Sequence, residues 1–379
     1  MNKKTVMLGL LAILASVVGL VWLLRARQHR RPSRIEIGAV LPLTGSAAVW
    51  GQNVKKGMDL ALDQVNAAGG VRGRQLQVLY EDSEGLPRNS VSALTKLIDA
   101  DGIQVAIGDV ASSSVLSMAP IANARKVVIL SPGASNPDIS HAGPFVFRNW
   151  HSDAQEGVFL AEVAFNKLRM RQVSIIYVNN GYGKGLEEVF SKRFAEIGGK
   201  IRTSQAFDQG ATDFRAQLTR IKSSGCDGIF MPGYPQEMPE VLKQAKELGI
   251  TKQFLCPSAF EDQQTLNLAG PAAEGVIYDY PKQGDLSRPY VANFYKDYQR
   301  RYGTPPGALS DTGYDALMLI VQAMKTSGLS GTEIQKGLRR IKNYPGVAGD
   351  TTFDEHGDIV KEFVLKTVKG GEFVTYEHQ

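Results

Sequence analysis

Two serine-bearing loops carry residue types that can hold a small polar group. GDVASSS (Gly108 to Ser114) leaves a β-rich run and places Ser112, Ser113 and Ser114 at the start of a helical pattern. The unpaired N–H groups and positive dipole end of such a start make an anion site, with hydroxyls ready to donate. Ser112 or Ser114 can instead cap the helix while its neighbour meets a ligand. SPGASNPD (Ser131 to Asp138) ends another β-rich run, where Gly133 permits close backbone approach and Ser135 adds a hydroxyl. Read together, the two loops suit a carboxylate or an amide.

Aromatic residues recur in the same kind of place. Trp50, in LPLTGSAAVWGQN (Leu41 to Asn53), stands just before a helical pattern, where its ring forms either a cleft wall or core. Tyr182 lies in the GYGKG turn (Gly181 to Gly185) and Tyr234 in MPGYPQE, each after a strand pattern. A pair of such rings sandwiches an apolar or cationic group for about 0.5 to 2 kcal/mol each. GYGKG, with Asp208 at the end of the next strand, superficially resembles a dinucleotide fingerprint, but Leu186 stands where that motif needs a small residue. The chain carries no G-x-S-x-G, H-E-x-x-H, Walker or C-x-x-C motif, and His29, His141, His151, His356 and His378 have no partner at metal-ligand spacing. The expectation is a binding protein with no cofactor or metal, not an enzyme.

Positioning these loops requires α/β architecture. Strand patterns begin at Ile35, Gln75, Ile103 and Val127, with helical spacing over Val54 to Ala68, Val91 to Ala100 and Val115 to Arg125. That alternation predicts a parallel sheet covered on both faces. Gly69-Gly70 reads as a helix stop and Pro87 as a first-turn proline. After FVFRNW at Phe145 a second series of strands begins at Val173, Ile201, Cys226, Phe254 and Gly275. Helices are expected over Leu186 to Ile197, Phe214 to Ser223 and Val241 to Leu248. Three later helices, Pro289 to Tyr302, Ala308 to Thr326 and Thr332 to Ile341, have no strands of their own and must cover an existing sheet. FVLKTV and EFVTYE around Gly370-Gly371 read as a hairpin. Two sheets facing each other make a cleft beyond the carboxyl ends of their strands, where open α/β sheets bind ligands.

Length and charge agree with this. A chain of 379 residues supports two or three globular units. Of its 43 basic residues, Lys3, Lys4, Arg25, Arg27, Arg30, Arg31 and Arg34 precede Ile35, where no acid occurs, leaving 36 bases against 38 acids in the body. The net charge of +5 belongs to the leader, and the body lacks the basic footprint of a nucleic-acid binder. Thr5 to Leu24 is 20 uncharged, mostly apolar residues, long enough to span a bilayer and read as an uncleaved anchor; removal as a secretory signal is the alternative. Five arginines after it, against two lysines before, would place the body in the cytoplasm by the positive-inside rule. Cys226 and Cys256 read as buried free thiols.

IGAVLPLTGSAAVWGQNVKKGMDLALDQVNAAGGVRGRQLQVLYED, VAIGDVASSSVLSMAPIA, ILSPGASNPDIS, the GYGKG turn and DTTFDEHGDIV together resemble the branched-chain amino-acid type of periplasmic binding protein, over nearly all of Ile35 to Gln379. The resemblance implies a type I periplasmic binding fold of two doubly wound parallel-sheet lobes joined by a three-crossing hinge. The first lobe is expected over 35–152 and about 283–350, the second over 153–282 and about 351–379. It implies an extracytoplasmic receptor, a monomer that closes on a small amino-acid-like, carboxylate or amide ligand and serves an ABC permease. A receptor for a separate signalling partner is the alternative. That outside location overrides the leader's charge, because large domains translocate largely regardless of it.

Carried over by position, Ser112 with Ser113, Gly133 and Ser135 would hold the ligand's carboxylate and ammonium. Tyr182 and Tyr234 would close from the second lobe, Trp50 and Leu309 would line the side-chain pocket, and Asp153 lies near the first crossing. One position departs from the family: Ser258 stands where amino-acid binders carry a glutamate for the ligand's ammonium. Either Asp109, Asp153 or Glu261 substitutes, or the ligand has no α-ammonium. The family's first-lobe disulfide is also missing.

Overall fold

The computed structural model describes residues 34–377. The expected anchor, Thr5 to Leu24, lies outside them; among the described residues no helix is long and apolar enough to cross a membrane.

Five strands, β1 (Arg34–Leu41), β2 (Gln75–Asp82), β3 (Val105–Gly108), β4 (Val128–Ser131) and β5 (Val146–Arg148), form one parallel sheet in the order β2-β1-β3-β4-β5. Between them run α1 (Ala48–Ala67), α2 (Pro87–Asp99) and α3 (Ser112–Arg125). β3 and β4 are buried along their whole length, which is why they read as unbroken apolar runs.

The chain then crosses into a second layer through α4 (Asp153–Glu162). There β6 (Gln172–Val178), α5 (Gly181–Glu196), β7 (Lys200–Phe207), α6 (Arg215–Ser223), β8 (Gly228–Phe230), α7 (Met238–Glu247), β9 (Gln253–Cys256), α8 (Gln263–Ala269) and β10 (Ile277–Pro281) follow in turn. It crosses back into α9 (Pro289–Tyr302), α10 (Ser310–Thr326) and α11 (Gly331–Arg339), then a small ribbon of β11 (Tyr344–Gly346) and β12 (Gly349–Thr351). A third crossing leads to the hairpin of β13 (Phe363–Lys369) and β14 (Glu372–Thr375). The second sheet has seven strands in the order β14-β13-β10-β9-β8-β6-β7, with β13 and β14 antiparallel at its edge. Gly370 and Gly371 both have positive φ (62° and 77°), as a tight hairpin turn between right-twisted strands requires.

The late helices do cover an existing sheet. α10 lies so close along α1 that a Cβ on Gly57 would fall 1.8 Å from the Ser310 carbonyl oxygen, and one on Gly313 would fall 2.6 Å from that of Val54. Its Leu317, Ile320 and Met324 join Ile37, Val105 and Leu130 of the first sheet in one core.

β5, α4, α8 and the β11–β12 ribbon were not among the expected elements, and three local details differ as well. α1 begins at Ala48, not near Val54, so Trp50 sits inside its first turn, and α5 begins at Gly181, not Leu186. The cause is shared. Gly51 and Gly183 read as loop residues, but each lies inside a helix, and glycine is needed there because a Cβ would fall 2.0 Å from a carbonyl oxygen, of Pro42 and Val178 respectively. Asn180 caps α5, its side chain accepting from the Gly183 N–H. In α3 the N-cap position falls on Ala111, so neither Ser112 nor Ser114 caps the helix.

Candidate functional site

Between the carboxyl ends of the two sheets lies a small cavity of about 30 Å³. Its walls come from both sides: Trp50, Val110, Gly133, Ser135 and Leu309 from the first, and Tyr182, Tyr234, Ser258 and Tyr280 from the second. Trp150 and Glu156 reach it from the first crossing. The rings pack on one another, Trp50 reaching the second side from the first. Trp50 packs edge-on against Tyr234 at 5.3 Å, Tyr182 stacks on Tyr234 at 5.7 Å, and Trp150 meets Tyr280 edge-on at 6.2 Å. Gly133 is needed where it stands, because a Cβ would lie 2.9 Å from a Leu309 methyl. Leu309 is held at φ +66° ahead of α10, a strained conformation for leucine that aims the chain around the cavity.

The serine loops are arranged by bonds to each other. The Ser112 hydroxyl accepts from the N–H groups of Ser135 (3.2 Å) and Asn136 (3.1 Å), and so binds the loop rather than facing the cavity. The carbonyls of Ser135 and Asn136 accept from Arg148 Nη1 at 2.9 Å each. That arginine is fully buried and pairs through Nε and Nη2 with Asp358, both at 2.8 Å. Ser113 Oγ accepts from the Gly181 N–H across the cleft (2.8 Å), and Asn136 Nδ2 donates to the Gly181 carbonyl (2.5 Å). Ser135 thus keeps its hydroxyl on the wall, while Ser112 and Ser113 fasten the surroundings.

At the base of the cavity carboxyl groups converge. Glu156 Oε1 accepts from the Ser258 N–H (2.7 Å), and Oε2 lies 3.2 Å from His151 Nε2. Burial alone would raise this carboxyl, but the His151 charge and the bonds from His151 and Ser258 outweigh it and hold it below the usual glutamate range. Asp153, on the same face of α4, and Asp279, on β10, are pushed well above the usual range by burial and then by the negative charge of Glu156. The Ser135 hydroxyl faces Asp153 without a well-formed hydrogen bond and offsets only part of that rise. No carboxylate oxygen of Asp153 or Asp279 has an acceptor-type bond, and the buried Tyr182 hydroxyl has no partner either. Each Asp kept as an acid carries an O–H within reach of Glu156.

Of the residues singled out in the sequence, Trp50, Gly133, Ser135, Tyr182, Tyr234, Ser258 and Leu309 share the cavity wall. Ser112, Ser113 and Asp153 stand behind it. Among the substitutes weighed for the missing glutamate, Asp109 accepts from Ala111 N–H and Ser90 Oγ and is pushed up to about 6 by burial. Glu261 is taken by Lys366 and the Tyr278 hydroxyl. Neither lines the cavity. Glu156, Trp150 and Tyr280 were missed. Trp150 and Tyr280 follow β5 and end β10, so the rule that found the other aromatics would have found them. Glu156 follows Asp153 by three residues, one helical turn, on a helix whose facing depends on the crossing before it.

The chain matches one protein family, described as periplasmic binding protein, over residues 34–372. A Leu/Ile/Val-binding protein homolog of Brucella suis is 27% identical over 85% of this chain and 86% of its own length. A leucine binding protein from Thermotoga maritima superposes with a TM-score of 0.85 at 29% identity, over 90% of this chain and 98% of that one. A branched-chain amino acid transporter substrate binding protein of Streptococcus pneumoniae, solved with isoleucine, gives 0.83 at 26%, over 90% and 97%.

Proposed function

This chain belongs to the periplasmic binding protein family, extracytoplasmic receptors for solutes, and from that premise we propose that it closes on one small amino-acid-like, carboxylate or amide solute and hands it to an ABC permease. The division into lobes is taken as 35–152 with about 283–350, and 153–282 with about 351–379. In this reading the Ser135 and Tyr182 hydroxyls meet the solute's polar end, and Trp50, Tyr234 and Leu309 enclose its side chain. The receptor works as a monomer and performs no chemistry on what it binds. It is held at the membrane by its leader, or secreted if the leader is removed.

The observation that carries this is a cavity closed by rings from two sheets, with an unpartnered hydroxyl inside. A ligand touching both lobes favours the closed state by its additional contacts alone. The names of the similar proteins, which bind leucine, isoleucine or valine, support the solute class.

The test is a thermal-shift screen of the full chain in detergent against amino acids, aliphatic and aromatic acids, and amides. A solute at 100 times its Kd adds about 2.7 kcal/mol, which moves the midpoint by a few degrees. A saturable shift within these classes is expected. No shift with any of them would overturn the reading.

A further inference from the structure

We propose that a recess beside the first cavity is a second ligand site, and that it takes a neutral, hydroxyl-rich solute of sugar size. The recess measures about 400 Å³, within the usual range for small-molecule sites, and it shares Tyr280 and Ala308 with the first cavity, so one wall serves both. Like the first, it is bounded from both sides. Asn53 of α1, Tyr295 of α9 and Asp311 of α10 come from the side of the first sheet, and Glu261, Tyr280 and Phe373 from that of the second.

Two polar groups of this wall belong to buried residues and have no hydrogen-bond partner among the described residues: the Asn53 amide, on a residue 8% exposed, and the Tyr280 hydroxyl, on one 4% exposed. Burying such groups costs stability unless something bonds to them. Gly307 lets the loop before α10 close over the amide, since a Cβ there would fall 2.5 Å from Asn53 Nδ2. The Asp311 carboxylate accepts from the Thr312 N–H at 2.9 Å and has no ion-pair partner among the described residues. Burial, then the charges of Asp311 and Glu261, push the Tyr280 phenol well above its usual range, so its hydroxyl is neutral and stands near both carboxyl groups. An amide offers donors and an acceptor, a phenol does both, and a carboxylate only accepts. A hydroxyl both donates and accepts, so a row of them satisfies all three, and the apolar faces of a sugar ring suit Tyr295 and Phe373. A cation is poorly served here. Lys366 Nζ lies 5.5 Å over the Tyr280 ring and pairs with Glu261, Asp262 caps α8, and Lys56 adds a positive charge to the wall.

The test is titration of the full chain, in a detergent without a sugar headgroup, with glucose, maltose and myo-inositol, and with choline as the cationic counterpart. Calorimetry and saturation-transfer NMR read the binding. At least one of the three polyols should bind saturably, with a Kd of about 1 mM or tighter, and choline should not compete with it. This comparison needs no variant to fold. Asn53→Leu, which removes the amide at similar volume, should weaken polyol binding at least 10-fold, and Asp311→Ala should do so independently. Ser135→Ala, in the first cavity, should leave it within twofold. No saturable binding of any of the three polyols overturns the proposal, as does tighter binding of choline. Binding undiminished in both Asn53→Leu and Asp311→Ala, whatever Ser135→Ala does, overturns the placement in the recess. The receptor reading stands in each case, because the solutes of the first cavity test it separately.

Discussion

A single hydroxyl separates what Tyr182 does for the fold from what it does for a solute. The group is buried without a partner, and burial, then the charges of Glu156 and Asp153, keep its phenol well above the usual range and therefore neutral. An unsatisfied buried hydroxyl costs stability, so Tyr182→Phe is expected to leave the ligand-free receptor as stable or slightly more so. The same change should weaken solute binding by about 0.5 to 1.5 kcal/mol, the net worth of one hydrogen bond. Chemical denaturation and calorimetry read the two effects separately; a variant that loses stability and keeps its affinity would assign the hydroxyl to the fold instead. Residues at the ends of strands, such as Tyr234 and Ser135, were legible because the carboxyl edge of a sheet is a place that sequence alone identifies. Glu156 was not, because a helix face acquires a direction only when the crossing at Asn149 to Ser152 sets it against the cavity. Asn149 Nδ2 donates to the Thr312 carbonyl and Ser152 caps α4, both details of packing that leave no spacing signature.

The crossings are where elements act on the site together. Arg148 ends β5 before the first crossing, and Asp358 lies in the third, so one ion pair ties two of the three connections. Through Ser135 and Asn136 the same arginine sets the serine loop. Removing one partner of a buried pair leaves a charge uncompensated, and Asp358→Ala should cost about 3 to 5 kcal/mol. Arg148→Met with Asp358→Leu removes both charges and should cost clearly less than the single change. Urea unfolding distinguishes these, and a single-variant loss below about 1 kcal/mol would mean that the pair does not hold the hinge. The main alternation of strands and helices was readable because the apolar periods differ, but the short elements β5, α4 and α8 were not among those expected. Helix starts were harder. At Gly51 and Gly183 glycine serves a close approach to a carbonyl from a strand-end segment, and a local reading takes the same residue for a break.

Across the whole molecule the lobes are drawn together by few polar contacts, and those contacts set how much of its binding energy a solute must spend on closure. Ser113 Oγ and Asn136 Nδ2 both grip the Gly181 peptide from the opposite side of the cleft. At about 1 kcal/mol each, their joint loss in Ser113→Ala with Asn136→Ala lowers the closed-to-open ratio by roughly 30-fold. Small-angle scattering of the ligand-free variant should then show a larger radius of gyration, and saturating solute should restore the compact value. The apparent Kd should rise by up to the same factor, and by less the more fully the unsubstituted receptor is already closed without solute. Because these side chains act on lobe closure, the loss of affinity should be the same for every solute the receptor accepts. A loss confined to carboxylate-bearing solutes would instead make Ser113 a contact for the ligand, with the Gly181 bond incidental to binding. Uniform weakening with an opened ligand-free form is the result that a latch requires.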